Sequence, residues 1–237
     1  MNNLDYVTVV VITKNEESNI RRCLESVAEF PNKLVVDSGS TDQTREIATE
    51  LGATVIHQEW LGFGKQKQRA IGLAVTDWVL SIDADESLSQ ELVDEIKSIK
   101  LSDPQIGYAL NRRTFFLGKE VKFSGWNPDW VLRLVHREHA QFTNSEVHEE
   151  LRGCNSIERL KSRINHYSYQ SIRDIERKTL LYGKLGKLSR KKKKNKLLSS
   201  SWAFFRTFCL KLGILDGMNG LRIASMNAKV TWIKYSD

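Results

Sequence analysis

The sequence predicts an α/β fold in which a mostly parallel sheet is flanked by helices and followed by a basic, amphipathic helical extension. In the first 100 residues, short β-rich runs alternate with helical patterns, the order that produces a parallel sheet. Residues 106–169 are β-rich and aromatic, and a long basic helix is predicted from Ser171 to Lys196. With 237 residues, 41% hydrophobic composition and 3 prolines, the chain is long enough for one sizeable core plus an appendage, and too apolar for disorder.

The alternating region contains four predicted strands, at residues 7–13, 33–36, 53–57 and 78–82. The helices between and after them are predicted from residue 15 onward and over residues 40–52, 65–75 and 87–99. Residues 7–13 are continuously apolar, as in a strand buried on both faces. A capping-box pattern opens the second helix and Gly52 ends it, while residues 87–99 have one apolar face.

Charge is distributed unevenly along the chain. Residues 1–160 carry 18 Lys and Arg against 25 Asp and Glu, whereas residues 161–237 carry 18 against 4. We therefore predict a catalytic domain over residues 1–169 and a basic extension over residues 170–237. Four consecutive lysines at residues 191–194 indicate a polyanionic partner, either anionic lipid or nucleic acid.

The composition of the extension favours lipid. Aromatic and aliphatic residues follow the lysines at residues 197–215, a pattern typical of an interfacial segment, and the chain has no apolar run of about 18 residues that would span a bilayer. The 3 cysteines are far apart, odd in number and without metal-type spacing, so the sequence indicates neither a disulfide framework nor a zinc site and fits a reducing compartment. With no export signal at the N-terminus, we expect a cytoplasmic protein attached peripherally to a membrane.

Polar residues follow three predicted strands, at residues 13–16, 37–40 and 83–86. Open α/β sheets bind ligands beyond the carboxyl ends of their strands, so these positions form a candidate site. Asp37 precedes Ser-Gly-Ser and a helix N-terminus, where main-chain N–H groups face a polar ligand. Asp83 and Asp85 present hard oxygen ligands to Mg²⁺ or Mn²⁺, and such a metal neutralises a diphosphate leaving group.

Residues 62–69 combine two glycines with basic side chains. Glycine lets the chain approach a ligand closely, and Lys65 and Lys67 are candidates for holding phosphates. The alternative is a basic helix start on the protein surface.

This order of motifs resembles glycosyltransferase family 2, the inverting enzymes of the Rossmann-like GT-A fold. Within that family it looks closest to the lipopolysaccharide inner-core β-1,4-glucosyltransferases, which add glucose to the first heptose. The stretches that carry the resemblance are residues 13–16, 37–42, 62–66, 83–86, 124–129, 147–149 and 215–217. The resemblance implies transfer of a hexose, glucose from UDP-glucose, to a lipid-linked core oligosaccharide at the cytoplasmic face of a bacterial inner membrane.

The resemblance also implies roles for individual residues. Those expected to bind the donor nucleotide sugar are Thr13, Asn15, Glu16, Asp37, Lys65, Lys67 and Asp83. Asp83 and Asp85 would hold the metal, Mg²⁺ or Mn²⁺.

An inverting transfer needs one general base on the acceptor side, and the acidic cluster at residues 146–150 supplies candidates. The family pattern selects Glu149, with His148 as the alternative base or an orienting partner. Trp126 and His148 are expected to contact the acceptor. His166 is interpreted as a third metal ligand or as a hydrogen-bonded strand histidine.

Three other functions remain open at this stage. The first is a transferase of the same fold that acts on a polyprenyl phosphate. A sugar nucleotidyltransferase would also bind nucleotide and metal, but would place a glycine-rich loop after the first strand, where residues 13–16 read Thr-Lys-Asn-Glu. A basic nucleic-acid-binding module would explain residues 191–194 but not the acidic sheet domain.

Overall fold

The computed structural model describes residues 2–143, 149–188, 190 and 194–236. The chain forms two compact units. The first consists of Met1–Arg112 and Trp130–His166, and the second of Arg113–Asp129 and Tyr167–Asp237. Residues 113–129 therefore group with the C-terminal part of the chain. The functional division at residue 169 stays a prediction.

The sheet begins with four parallel strands. These are β1 (Val7–Thr13), β2 (Asn32–Asp37), β3 (Thr54–His57) and β4 (Trp78–Asp83), arranged in the order β3-β2-β1-β4. All four lie at the predicted positions. The later strands are β5 (Glu86–Leu88), β6 (Ile106–Phe116), β7 (Lys119–Glu120), β8 (Trp130–His136), β9 (Gln141–Phe142), β10 (Leu151–Arg152) and β11 (Ser156–Tyr169).

The complete sheet order is β3-β2-β1-β4-β8-β6-β11-β5, with β7 paired to β6 and a separate β9-β10 ribbon. The predicted α/β fold is confirmed, but the sheet is mixed rather than mostly parallel. The pairs β4-β8, β6-β8 and β5-β11 are antiparallel. Parallel pairing needs a helical crossover between strands, and the strand-helix alternation stops at residue 98.

The helices of the first unit are α1 (Glu17–Glu25), α2 (Thr44–Glu50), α3 (Phe63–Gly72) and α4 (Gln90–Ser98). Alternate side chains of β1 lie on opposite faces of the sheet and pack in different hydrophobic clusters. Val9 and Val11 pack in the cluster that includes α1 and α4, whereas Val10 packs in the cluster that includes α3. The expectation that this strand is buried on both faces is confirmed.

Two helices begin later than predicted. Residues 86–88 form β5, which pairs with β11, so α4 starts only at Gln90, where the Ser89 hydroxyl accepts a bond from the main-chain N–H of Leu92 at 3.3 Å. Helix α2 starts at Thr44 because Asp42 lies in the preceding turn and accepts the N–H of Thr44 at 3.1 Å.

The second unit contains α5 (Ile172–Leu188), α6 (Lys196–Phe205) and α7 (Gly217–Tyr235), with a π-helical turn (Arg206–Leu210) and a 3-10 turn (Gly213–Asp216) between the last two. The predicted C-terminal helices are present. The single helix predicted over residues 171–196 is instead interrupted, since α5 ends at Leu188 and Asn195 caps α6 by accepting the N–H of Leu198 at 3.1 Å. Among the described residues, no helix combines the length and apolarity needed to cross a bilayer.

Candidate active site

The carboxyl ends of β1, β2 and β4 meet at one edge of the sheet. In register, Thr13 lies beside Asp37 and Ile12 lies beside Asp83. The polar segments that follow these strands are therefore neighbours, as the sequence predicts.

Asp37 organises the loop after β2. Its carboxylate is fully buried and accepts bonds from the hydroxyl of Thr13 at 3.0 Å and from the main-chain N–H groups of Gly39 at 3.0 Å and Ser40 at 2.9 Å. The Ser40 hydroxyl also donates to it. Gly39 has φ +83°, a conformation that favours glycine. These contacts fix the loop shape, and the role of Asp37 in binding uridine stays a prediction.

Asn15 and Glu16 join the loop after β1 to the loop after β2. Asn15 has φ +57°, its N–H donates to the hydroxyl of Ser40 at 2.8 Å, and its side-chain oxygen accepts the N–H of Thr41 at 2.8 Å. The N–H of Glu16 donates to the hydroxyl of Thr44 at 2.8 Å. Three residues predicted to bind the nucleotide therefore lie in one hydrogen-bonded pair of loops.

Lys67 connects the strand-end aspartate to the predicted base. Its ammonium nitrogen Nζ lies 2.7 Å from Asp83 Oδ1 and 2.9 Å from Glu149 Oε1. Lys67 is only 6% exposed. Tertiary structure thus brings together residues from α3, from the end of β4 and from the segment before β10.

Arg133 on β8 holds the other side of Asp83. Its Nη2 donates to Asp83 Oδ2 at 2.6 Å and to Glu86 Oε1 at 2.6 Å. Glu86 is fully buried, and its second oxygen accepts the main-chain N–H of Asp83 at 3.0 Å. Sequence reasoning missed this pair. The available signal was a charged residue inside an apolar strand, since residues 130–136 read Trp-Val-Leu-Arg-Leu-Val-His.

Charge pairing sets the ionisation of the cluster. Burial by itself raises the pKa of Asp83, but the attraction of Arg133 and Lys67 outweighs burial and holds that pKa well below its ordinary value. Burial acts to lower the pKa of Lys67, whereas Asp83 and Glu149 raise it, and the net shift is upward. Asp83 and Lys67 are therefore both ionised at neutral pH.

Asp85 lies beside His166. The distance from Asp85 Oδ2 to His166 Nε2 is 3.6 Å, and the side chains are 23% and 15% exposed. The antiparallel pairing of β5 with β11 produces this proximity, because it sets His166 opposite Glu86. A carboxylate oxygen and an imidazole nitrogen that both reach solvent are suitable ligands for a divalent metal such as Mn²⁺.

Gly64 allows the segment that carries Glu149 to pack on α3. A Cβ atom at position 64 would lie 2.2 Å from the carbonyl oxygen of Thr143 and 3.5 Å from Cβ of Glu149. Only glycine permits the first of these distances without a main-chain shift. The glycine-rich motif thus allows close packing of the segment that carries Glu149, and its role in holding phosphates stays a prediction.

Three other residues that the sequence predicts for the site are not part of the contacts described above. Lys65 is exposed in the first turn of α3. Trp126 is half-buried in the core of the second unit, where it stacks on Tyr169 at 5.8 Å and meets the edge of Phe116 at 5.8 Å. His148 lies outside the described residues. The acceptor roles of Trp126 and His148 stay predictions.

The mixed α/β sheet with its flanking helices is consistent with the GT-A fold of glycosyltransferases. Residues 8–163 match the model of glycosyl transferase family 2, and the chain belongs to that family.

Several individual proteins are similar to the chain. An uncharacterized glycosyltransferase of Rickettsia typhi is 34% identical over 235 residues, covering 90% of this chain and 80% of that protein. The lipopolysaccharide core biosynthesis glycosyltransferase LpsC of Rhizobium meliloti is 31% identical over 157 residues, covering 60% of this chain and 56% of LpsC. A crystal structure of S. aureus TarS with UDP is 19% identical, covers 90% of this chain and 75% of that one, and has a TM-score of 0.49.

Proposed function

We propose that the protein is an inverting, metal-dependent hexosyltransferase that moves glucose from UDP-glucose to a heptose of the lipopolysaccharide inner core. The observation that carries the proposal is the chain of contacts from Asp83 through Lys67 to Glu149, which joins a donor-side carboxylate to an acceptor-side carboxylate. The similarity to LpsC, named for lipopolysaccharide core biosynthesis, supports this acceptor class.

We assign the divalent metal to the end of β4, with Asp85 and His166 as its nearest ligands, because both carboxylate oxygens of Asp83 are already paired with Lys67 and Arg133. Asp85 offers a carboxylate that is partly exposed, and His166 lies next to it. Asp83 is kept ionised by Arg133 and Lys67. When bound, Mg²⁺ or Mn²⁺ would supply positive charge that stabilises the departing nucleoside diphosphate.

Glu149 is positioned to act as the general base. Its side chain is 15% exposed, so one face reaches an acceptor while the other is held by Lys67. In a single displacement the acceptor hydroxyl loses its proton to Glu149 as its oxygen attacks the anomeric carbon. The bond from that carbon to the diphosphate oxygen breaks at the same time, UDP leaves with the bonding electron pair, and the configuration at the carbon inverts. The ammonium group of Lys67 places one positive charge between the two carboxylates, and Arg133 supplies a second beside Asp83.

The basic C-terminal extension supports a lipid-linked acceptor and peripheral attachment to the cytoplasmic face of the inner membrane. Its excess of cations suits anionic lipid head groups, each cation contributing about 1 kcal/mol near such a surface. A soluble acceptor would leave this extension without a purpose. Family membership favours a sugar nucleotide over nucleic acid as the ligand of the sheet domain.

The test separates binding from chemistry. Replacing Glu149 with Gln keeps the side-chain shape but removes the proton acceptor, so transfer should fall about 100-fold or more. Binding of UDP-glucose with Mn²⁺, measured by thermal shift, should be retained. Transfer of radiolabelled glucose to purified heptose-containing lipid acceptor measures the chemical step.

Glu150→Gln is the matched control, since Glu150 is exposed and pairs with Arg152 at 2.9 Å. A Glu149→Gln enzyme with normal transfer would remove this residue from the mechanism. Parallel donor screens with UDP-, GDP- and CMP-sugars, and a polyprenyl phosphate acceptor, test the proposed substrates.

A further inference from the structure

One carboxylate in the second unit joins residues 124–129 to residues 215–217, two of the stretches that carry the family resemblance. Asp216 accepts the hydroxyl of Ser124 at 2.6 Å and the main-chain N–H groups of Lys122 at 3.0 Å and Phe123 at 3.2 Å. The N–H of Ser124 in turn donates to the carbonyl of Lys211 at 2.9 Å. Four hydrogen bonds thus hold the loop at residues 122–129 against the segment before α7.

The backbone around this connection is closely packed. Ser124 is buried and has φ +59°, and Gly125 has φ +79°. The side chain of Lys211 lies over Gly125, where a Cβ atom would be 2.3 Å from Lys211 Cδ. A Cβ atom at Gly220 would lie 1.7 Å from the carbonyl oxygen of Gly213. The loop and the turn are therefore closely packed against each other.

The segment on which the loop rests exposes large apolar side chains, and we define residues 210–218 as the apolar turn. The exposed fractions of its large apolar residues are Leu210 58%, Leu212 48%, Ile214 58%, Leu215 61% and Met218 62%. A patch of this kind marks a binding surface in a soluble protein. Two lysines of this region are also exposed, Lys211 within the apolar turn and Lys122 in the loop that packs on it.

The excess of positive charge in the C-terminal part of the chain favours a bilayer containing anionic phospholipid as the partner of the apolar turn. Residues 161–237 carry 18 Lys and Arg against 4 Asp and Glu. Apolar side chains flanked by cations bind the interface between head groups and acyl chains. Since no described helix is able to span a bilayer, attachment through this surface would be interfacial.

We propose that the apolar turn inserts into the membrane interface and that Asp216 is a positioning residue which fixes the loop at residues 122–129 on it, so that the loop meets a lipid-linked acceptor at the membrane surface. The assignment of the acceptor rests on the proposed function, whereas the assignment of the lipid surface does not. The extension is then part of acceptor recognition as well as an anchor.

The first experiment tests the surface in the full chain. Ile214→Glu with Leu215→Glu should reduce binding to vesicles of phosphatidylcholine and phosphatidylglycerol at least tenfold in a flotation assay. The control, Val75→Glu with Ile157→Glu, places the same charges on exposed apolar positions of the first unit and should bind as the wild type does. Unchanged vesicle binding by the first variant overturns the proposal. If the variant instead binds vesicles normally but no longer self-associates, the turn contacts a second copy of the chain. That result also overturns the proposal.

The second experiment tests Asp216. Asp216→Asn should raise KM for the lipid-linked acceptor about tenfold while KM for UDP-glucose and vesicle binding stay unchanged. Ser124→Ala removes one of the same bonds and should give a smaller shift in the same direction, which keeps the test valid should Asp216→Asn fold poorly. Equal changes in the donor and acceptor constants would make Asp216 merely structural and refute its positioning role.

Different results would refute the proposed function and the proposed membrane contact. If the wild-type protein transfers no sugar to the lipid-linked heptose, the proposed function fails, and the vesicle assay still decides the role of the apolar turn.

Discussion

Replacing Arg133 with Met should destabilise the first unit strongly. Arg133 is 5% exposed and bridges Asp83 and Glu86 with two bonds of 2.6 Å. The variant keeps the apolar stem but leaves the fully buried Glu86 carboxylate without its closest cation. Removing one partner of a buried ion pair costs about 3–5 kcal/mol. We expect the free energy of unfolding in urea to fall by that amount at neutral pH.

The stability lost in Arg133→Met should be larger at neutral pH than at acidic pH. The pKa of Asp83 is depressed in the folded protein, so its pairing contributes stability that is present above its unfolded pKa, about 3.9, and is lost as pH falls through the folded pKa. Without Arg133 the folded pKa of Asp83 rises. The gap in stability between wild type and variant should therefore be widest above about pH 5 and narrow as the solution becomes more acidic.

Two controls complete the experiment. Arg152→Met breaks an exposed pair with Glu150, whose side chains are 72% and 61% exposed, and should cost less than about 1 kcal/mol. Combining Arg133→Met with Glu86→Gln removes both charges and should recover part of the loss. A single Arg133→Met variant as stable as wild type at neutral pH would refute the assignment of this pair as a buried, stabilising contact.

Three further predictions concern the site and the extension. Gly64→Ala should destabilise by about 1–3 kcal/mol in thermal unfolding, because its Cβ would meet the carbonyl of Thr143, while Gly72→Ala, with open space around it, should be close to neutral. Asp85→Ala should abolish transfer without changing the melting temperature, since the side chain is partly exposed; transfer near the wild-type rate in EDTA would remove the metal role. Replacing the lysines at residues 191–194 with Gln should move the protein from anionic liposomes to the supernatant with UDP binding unchanged, and equal sedimentation would show that they are not the anchor.

The antiparallel part of the sheet follows less directly from the sequence than the parallel part. Strands β1 to β4 have continuous apolar runs separated by helices, so their bounds and direction follow from local pattern. The helix predicted over residues 87–99 includes the last two residues of β5, because nothing in so short a segment distinguishes a strand from a helix start. Pairing with β11, which lies about 80 residues later in the chain, decides that they are extended.

By itself the sequence determined the α/β class, the strand ends that carry Thr13, Asp37, Asp83 and Asp85, the family, and the excess of positive charge in the extension. These depend on neighbouring residues and on the rule that parallel strands end at one edge. Only the tertiary structure decided that Arg133 and Glu86 hold Asp83, that Lys67 joins Asp83 to Glu149, and that Asp216 fixes the loop after β7. The bonds from Arg133 to Asp83 and Glu86, from Lys67 to Glu149 and from Lys122 to Asp216 join residues that lie 47 to 94 positions apart. The strand order and packing, which no local pattern encodes, bring these residues within bonding distance.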